Sequence, residues 1–243
     1  MLNNQYFNLF YTDGVAKQLN ISVVGENTVI SNNDLHDNNF ELTERLMSDT
    51  QLRFGSCESS VLKFRVSNTF NPLKDKLLVV SAKVHFEKEP FLYGTYKVFS
   101  DTPTSDRQYR DIVAYDYMHE IINANVSDWY NSILPDNDAE VSLREFRRSF
   151  ASLFGLEEEE TTLCNDEMIV KKTIDASDIS GKMLLSSICE INGCFGHIGR
   201  NGKLQYVVLK KSYKAIYPKK EIYPENNLFP GSGGWAGLSE STN

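Results

Sequence analysis

The spacing of apolar residues changes near Tyr115, and that change limits what the chain can fold into. Upstream, Val61, Lys63 and Arg65 alternate with Leu62, Phe64 and Val66. Period-two alternation marks a half-buried β-strand. ISVV (Ile21 to Val24) and NTVI (Asn27 to Ile30) flank Gly25-Glu26, a tight-turn pair. KDKLLVVSAKVHF and LYGTYKVFSD read as further strands, and RDIVAYDY as a closing strand that runs into a helix. LHDNNFELTERLMSD, among them, reads as helical or irregular. Many short strands with polar turns predict a barrel or a sandwich.

Downstream the spacing becomes three and four. Met118, Ile121 and Ile122 form an amphipathic turn. SLREFRRSFASLFGL opens with Ser142 and places Glu145 three residues later, a capping-box signature. Leu143, Phe146, Phe150, Leu153 and Phe154 then share a face, and Gly155 stops the helix. A further helix is predicted in SGKMLLSSICEING, with Ser180 as N-cap, Gly193 as stop, and Met183, Leu184, Ile188 and Ile191 as its apolar face. Asn201-Gly202 is the strongest two-residue hairpin signal in the chain, between His197-Ile198 and Leu204 to Leu209. The expected fold class is therefore α+β. A β-barrel-like domain spans 1–115, and a smaller helix-rich α+β domain with a β-hairpin spans 116–212. An extended aromatic-proline ribbon with a flexible tail spans 213–243.

That ribbon repeats Tyr217-Pro218, Tyr223-Pro224 and Phe229-Pro230 every six residues. Proline removes a backbone donor and favours extended geometry before it. The rings of Tyr217, Tyr223 and Phe229 have no evident local core, which makes them the expected interface residues.

Composition and motifs narrow the function. With 41% hydrophobic residues the chain can build a real core, yet its apolar runs are far too short to span a bilayer, so no membrane insertion is expected. The N-terminus carries no signal-peptide pattern. A net charge of −8 argues against nucleic-acid binding, and KKSYK (Lys210 to Lys214) reads as a solvated strand edge. The run EEEE at Glu157 to Glu160 reads as a solvated loop or helix start. Cys57, Cys164, Cys189 and Cys194 have no zinc-site spacing, and Cys57 and Cys189 read as buried core residues. This usage suits a reducing cytoplasm without structural disulfides.

His36, His85, His119 and His197 lack HExxH-type partners, and FGSCESS is not a nucleophile elbow. GCFGHIGRNG lacks the order and the Lys-Ser/Thr of phosphate loops. The carboxylates of DNDAE (Asp136 to Glu140) and DASD (Asp175 to Asp178) do not match a calcium loop. Hence no catalytic residue, metal or cofactor is expected.

Several segments, taken in order, resemble those of tail hub (baseplate) proteins from phages and prophages of Gram-positive bacteria. They are LRFGSCESSVLKFRV, then GTYKV followed by RDIVAYDYM, then SLREFRRSFASLFGL, then TIDASDISGKMLLSSICEINGCFGHIGRNGKLQYVVL, and last IYPKKEIYP. The resemblance covers about residues 40 to 230. It implies a β-barrel joined to a smaller α+β domain. It also implies a homotrimeric ring at the tail tip, assembled in the bacterial cytoplasm, that joins the tail tube to the baseplate or spike. The partners would be other tail and baseplate proteins. An acidic surface beside a DNA channel would repel phosphates. Two other readings use the same residues. A carbohydrate- or receptor-binding tail module would stack sugars on Trp129, Trp235, Tyr217 and Tyr223, although Trp129 reads first as a packing residue. A tail-associated peptidase or lysozyme would need the catalytic constellation that the sequence lacks.

Overall fold

In a computed structural model the structure describes residues 17–47, 53–83, 90–172 and 177–209. By contacts the chain divides into Met1–Val208 and Leu209–Asn243. All that follows concerns the first unit, which is α+β as the periodicity predicts.

Seven strands form one antiparallel sheet: β1 (Gln18–Val23), β2 (Val29–Ser31), β3 (Leu35–Thr43), β4 (Val61–Ser67), β5 (Leu77–Lys83), β6 (Phe91–Pro103) and β7 (Tyr109–Tyr115). Their order is β2-β1-β5-β6-β7-β4-β3, so the sheet curls into a nearly closed barrel whose seam lies between β2 and β3. The seam strands are joined by a single 3-10 turn, Asn32–Asp34. Asp34 accepts from the backbone N–H and the hydroxyl of Ser31 at 2.8 and 2.7 Å. Asn32 is also tied to β1, accepting from the Leu19 N–H and donating to the Lys17 carbonyl.

The inward parity is the one β4 announces. Leu62, Phe64 and Val66 are buried and face Ala114, Ile112 and Arg110 across the ladder. Each buried apolar side chain contributes roughly 1.5–3 kcal/mol. Of the segment expected to be helical or irregular, Leu35–Thr43 is β3, while Glu44 to Met47 are irregular. Phe40 pairs with Phe64 and Leu42 with Leu62, both half-buried, which holds the strand in place. The register shift between Leu35 and Phe40 absorbs the polar run that masked its alternation.

The longest strand, β6, carries two bulges. Tyr93 is the extra residue opposite β5 and Phe99 the extra residue opposite β7. A bulge bends its strand and reverses the parity beyond it. After Phe99, Asp101 therefore turns inward opposite Ile112, where its side chain is 1% exposed. There it accepts from Arg110 Nε and Nη2 at 2.7 and 2.6 Å and from the Leu73 N–H at 2.7 Å. This plugs one end of the barrel with a bidentate ion pair in place of apolar side chains.

A second core follows Tyr115. Its helices are α1 (Met118–Asn123), α2 (Ser127–Ile133), α3 (Leu143–Leu153) and α4 (Gly181–Asn192). It also holds the small pair β8 (Glu140–Ser142) and β9 (Ile169–Lys171), and the hairpin β10 (Cys194–Ile198) with β11 (Leu204–Val208). Ser142 caps α3 by accepting from the Glu145 N–H at 3.2 Å and donating to its carboxylate at 3.0 Å. Leu143, Phe146 and Phe150 are buried as expected, but Leu153 is exposed and Arg147 takes its place inside. Ser180 caps α4, and Gly193 ends it in the left-handed conformation at φ 60°. The apolar face of α4 is Leu184, Leu185, Ile188 and Cys189, while Met183 and Ile191 are exposed. The buried stripe is centred one residue further round the helix than the sequence reading put it. The hairpin forms where Asn201-Gly202 predicts, but its loop is longer than two residues. The last ladder pair is Ile198 with Leu204, and the Gly199 N–H still donates to the Lys203 carbonyl at 2.8 Å.

Candidate functional site

The segment Arg53 to Ser60, the first piece of the family resemblance, runs between the two cores. Its FGSC portion lies along β10. The Gly55 N–H donates to the Cys194 carbonyl at 3.0 Å, and the Gly196 N–H donates to the Ser56 carbonyl at 3.2 Å. Cys57 pairs in parallel with Gly196 and is buried in the second core, not in the barrel. Both glycines allow close approach. A Cβ on Gly55, at φ 86°, would sit 2.9 Å from the Ser186 carbonyl oxygen. A Cβ on Gly196 would sit 2.8 Å from Cys57 Sγ and 3.2 Å from Leu185. Gly196→Ala is therefore expected to cost about 1–3 kcal/mol by overpacking, read as a lower urea midpoint at unchanged slope. An unchanged midpoint would show that the β10 contact gives way freely.

The next residues tie the barrel to α1. Asp116, 5% exposed, accepts from the Ser60 N–H at 3.0 Å, the Ser59 hydroxyl at 2.8 Å and the Met118 N–H at 3.1 Å. Burial pushes its carboxyl above the ordinary aspartate value, against these donors. From the other side, the hairpin tip meets the barrel wall. The Arg200 guanidinium lies 4.3 Å from the Phe91 ring centroid and pairs with Glu44 at 3.5 Å. Of the hairpin residues, His197 has its Nδ1 buried with no hydrogen-bond partner among the described residues.

Inside the second core, Arg147 is 1% exposed and anchors a charged network. Its Nε and Nη2 reach Asp166 at 2.8 and 3.0 Å, its Nη2 also reaches the Thr161 carbonyl at 2.8 Å, and its Nη1 pairs with Glu158. Its guanidinium lies 5.2 Å from the Tyr206 ring, whose hydroxyl donates to Glu158 at 2.9 Å. Burial raises the Glu158 carboxyl and the Tyr206 phenol. Burial pushes Asp166 upward too, but the bonds from Arg147 outweigh it and leave that carboxyl below the ordinary value. The acid run is thus not wholly a solvated face. Glu157 to Glu159 pair along Leu204 of β11, which turns Glu158 inward and leaves Glu157 to Lys203. The spacing in α3 could have flagged Arg147, because it falls on the helix face between Phe146 and Phe150.

On the surface, the Phe99 bulge makes an aromatic corner. Phe99 is 60% exposed. Its ring stands nearly perpendicular to those of Tyr115 and His119, with centroids 5.6 and 5.4 Å away. Tyr115 and His119 stack on each other at 4.2 Å. The corner opens on a cleft of about 310 Å³ lined further by Asp75, Lys97, Asp116, Glu120 and Asn123. The only sequence signal was an aromatic residue on the polar parity of β6.

The residues singled out from sequence are scattered. Tyr217, Tyr223, Phe229, Trp235, KKSYK and His85 lie outside the described residues, as do Asp175 and Ala176 of DASD. Trp129 is half-buried against Phe146 and Phe150 at 5.0 and 5.4 Å and donates to the Ser149 hydroxyl, so it is a packing residue. His36 stacks on Tyr109. All four cysteines are free thiols, with Cys57, Cys189 and Cys194 buried and Cys164 exposed. Among the described residues no cluster of His, Cys, Asp or Glu could hold a metal ion, and no helix is long and apolar enough to cross a membrane.

No protein-family profile matches the sequence, and no curated protein does. Solved structures do match. The 43 kDa tail protein of prophage MuSo2 from Shewanella oneidensis aligns over 82% of this chain at 13% identity and a TM-score of 0.56. The tail protein from Neisseria meningitidis MC58 aligns over 79% at 10% identity and a TM-score of 0.52. The chain has the fold of these tail proteins. It spans 57% and 50% of their respective lengths. The matched share is too large for the barrel alone, so the shared fold includes the second core.

Proposed function

We propose that this chain is a structural component of a phage or prophage tail and serves as the hub that joins the tail tube to the baseplate or spike. The observation that carries the reading is the fold likeness to two tail proteins across both cores, at identities where only the backbone plan is shared. The ordered family segments support it independently, since RFGSCESS and RDIVAYDYM form the junction between barrel and helices. The hub role, the trimeric state and an origin in Gram-positive bacteria rest on that sequence resemblance. The two modules would meet near residue 115, where one core gives way to the other. The role is non-enzymatic, with other tail and baseplate proteins as partners.

The test is deletion of the gene in a lysogen, followed by electron microscopy and mass spectrometry of the induced particles. Wild-type particles should contain the chain in their tails, and the deletion should give heads without complete tails. Complete, infective particles from the deletion strain would overturn the reading. Light scattering of the purified chain over a concentration range addresses the trimer separately. A mass three times that of the chain is expected, and a strict monomer would remove the trimer from the proposal.

The alternative is a carbohydrate- or receptor-binding tail module. Trp129 is spent on packing, and the exposed Phe99 corner offers a surface on which a sugar could stack.

A further inference from the structure

The Phe99 corner has three properties that the barrel does not need for folding. First, the bulge places Phe99 and Ser100 outward in succession, so the ring projects from the wall with no core beneath it. The ring is 60% exposed and rests on Tyr115 and His119, so together they form a surface platform. Second, the corner presents ring faces at 78° and 70° to one another, formed by Phe99 against the Tyr115 and His119 pair. Ring faces carry negative quadrupole potential. Third, the cleft is acidic. Asp75, Asp116 and Glu120 line it against one lysine, Lys97, whose ammonium is already held by Glu120.

Asp75 completes the geometry. It sits at φ 65°, in the left-handed region that aspartate tolerates better than most residues. Its N–H donates to the Val98 carbonyl at 3.0 Å, one residue before Phe99. Its side-chain carboxylate makes no hydrogen bond or ion pair among the described residues, and the residue is exposed at the rim of the cleft.

We propose that this corner binds an organic cation, a guanidinium or alkylammonium group that packs on the aromatic faces while the unpaired carboxylate of Asp75 neutralises it. Aromatic faces with an adjacent carboxylate are the recognition chemistry of such groups. The volume, at the lower end of small-molecule sites, fits one side chain or a small amine. A neutral sugar could stack on Phe99 and donate hydroxyls to the carboxylates, but it would gain nothing from their net charge. The inference stands apart from the tail reading, because it uses only the geometry of the cleft.

The experiment is a titration of the full chain followed by aromatic carbon–proton NMR. N-acetyl-arginine amide is compared with N-acetyl-citrulline amide, which has the same shape without the charge. Saturable shifts of the Phe99, Tyr115 and His119 ring signals are expected with the arginine compound alone, weakening as salt is added. Phe99→Ala should weaken binding about tenfold. Asp75→Asn should weaken it about threefold. Phe99 is exposed, so its removal leaves the fold intact, and retained spectra elsewhere verify that. Tetramethylammonium supplies a second arm. Tighter binding of that ion would point to a free quaternary amine, and tighter binding of the arginine compound to a partner's side chain. Equal shifts with the citrulline compound, unchanged affinity in Phe99→Ala, or ring shifts produced by a methyl hexoside but not by arginine would overturn the proposal.

Discussion

Replacing Arg147 with methionine is expected to lower the stability of the chain by about 3–5 kcal/mol. Methionine is shorter but fills much of the same apolar space, so the loss is not mainly one of packing. It arises because Glu158 keeps its burial and loses its counter-charge, while Asp166 loses its bidentate partner and keeps only the longer contact from Arg144 at 3.4 Å. The Thr161 carbonyl loses its donor as well. In a chain of this size that loss corresponds to a fall in Tm of about 10 °C. Urea unfolding followed by circular dichroism measures it directly. The triple variant R147M/E158Q/D166N should recover part of the loss, because no charge then remains to be buried. The distinction matters, because a buried ion network is weak support for stability as such, while breaking one partner out of it is costly. A loss under about 1 kcal/mol for Arg147→Met would mean that water reaches the network and that the carboxylates are not stranded.

That network also shows what sequence reasoning reaches and where it stops. The stripe Leu143, Phe146, Phe150 in α3 was legible because helix spacing and burial agree there. Arg147 lies on the same stripe but is not among the residues that the apolar spacing picks out, although its position alone places it inside. The partners Asp166 and Glu158 were not legible. They come from a loop and from an acid run whose backbone happens to pair with β11, and only the tertiary fold brings them together.

The barrel divides in the same way. β4 was readable because one face is buried along its whole length. β3 was not, since a register shift interrupts its alternation within a polar run. The bulges of β6 are silent in composition, so neither the outward Phe99 nor the inward Asp101 followed from the alternation of Tyr96 and Val98. The candidate cleft depends on that bulge, and for that reason the residues that line it were missed. FGSCESS was noticed by resemblance, but its role as the strip between two cores is set by contacts with β10 and α4 from far along the chain.

Asp116 tests whether those two cores act as one body. Asp116→Ala is expected to cost about 2–4 kcal/mol, because the buried N–H groups of Ser60 and Met118 would lose their acceptor. Asp116→Asn keeps one carbonyl acceptor and should cost less, about 1 kcal/mol. The two variants also separate hydrogen bonding from charge. Burial raises the native Asp116 carboxyl above its unfolded value of about 3.9. The native state therefore binds the proton more tightly, and this group's contribution to stability is greatest below the unfolded value. It falls as pH rises through the raised native value and is level beyond it. Asparagine cannot titrate, so the stability of the native chain relative to Asp116→Asn should decline over that window and then stay constant. A flat difference across the window would mean that the three donors cancel the cost of burial. If the cores are coupled mainly through this residue, Asp116→Ala should also split unfolding into two transitions, with fluorescence of Trp129 in a Trp235→Phe background reporting the second core and far-UV circular dichroism reporting both. A single transition with coincident probes would place the coupling elsewhere, in the FGSC strip and the Arg200 contact with Phe91.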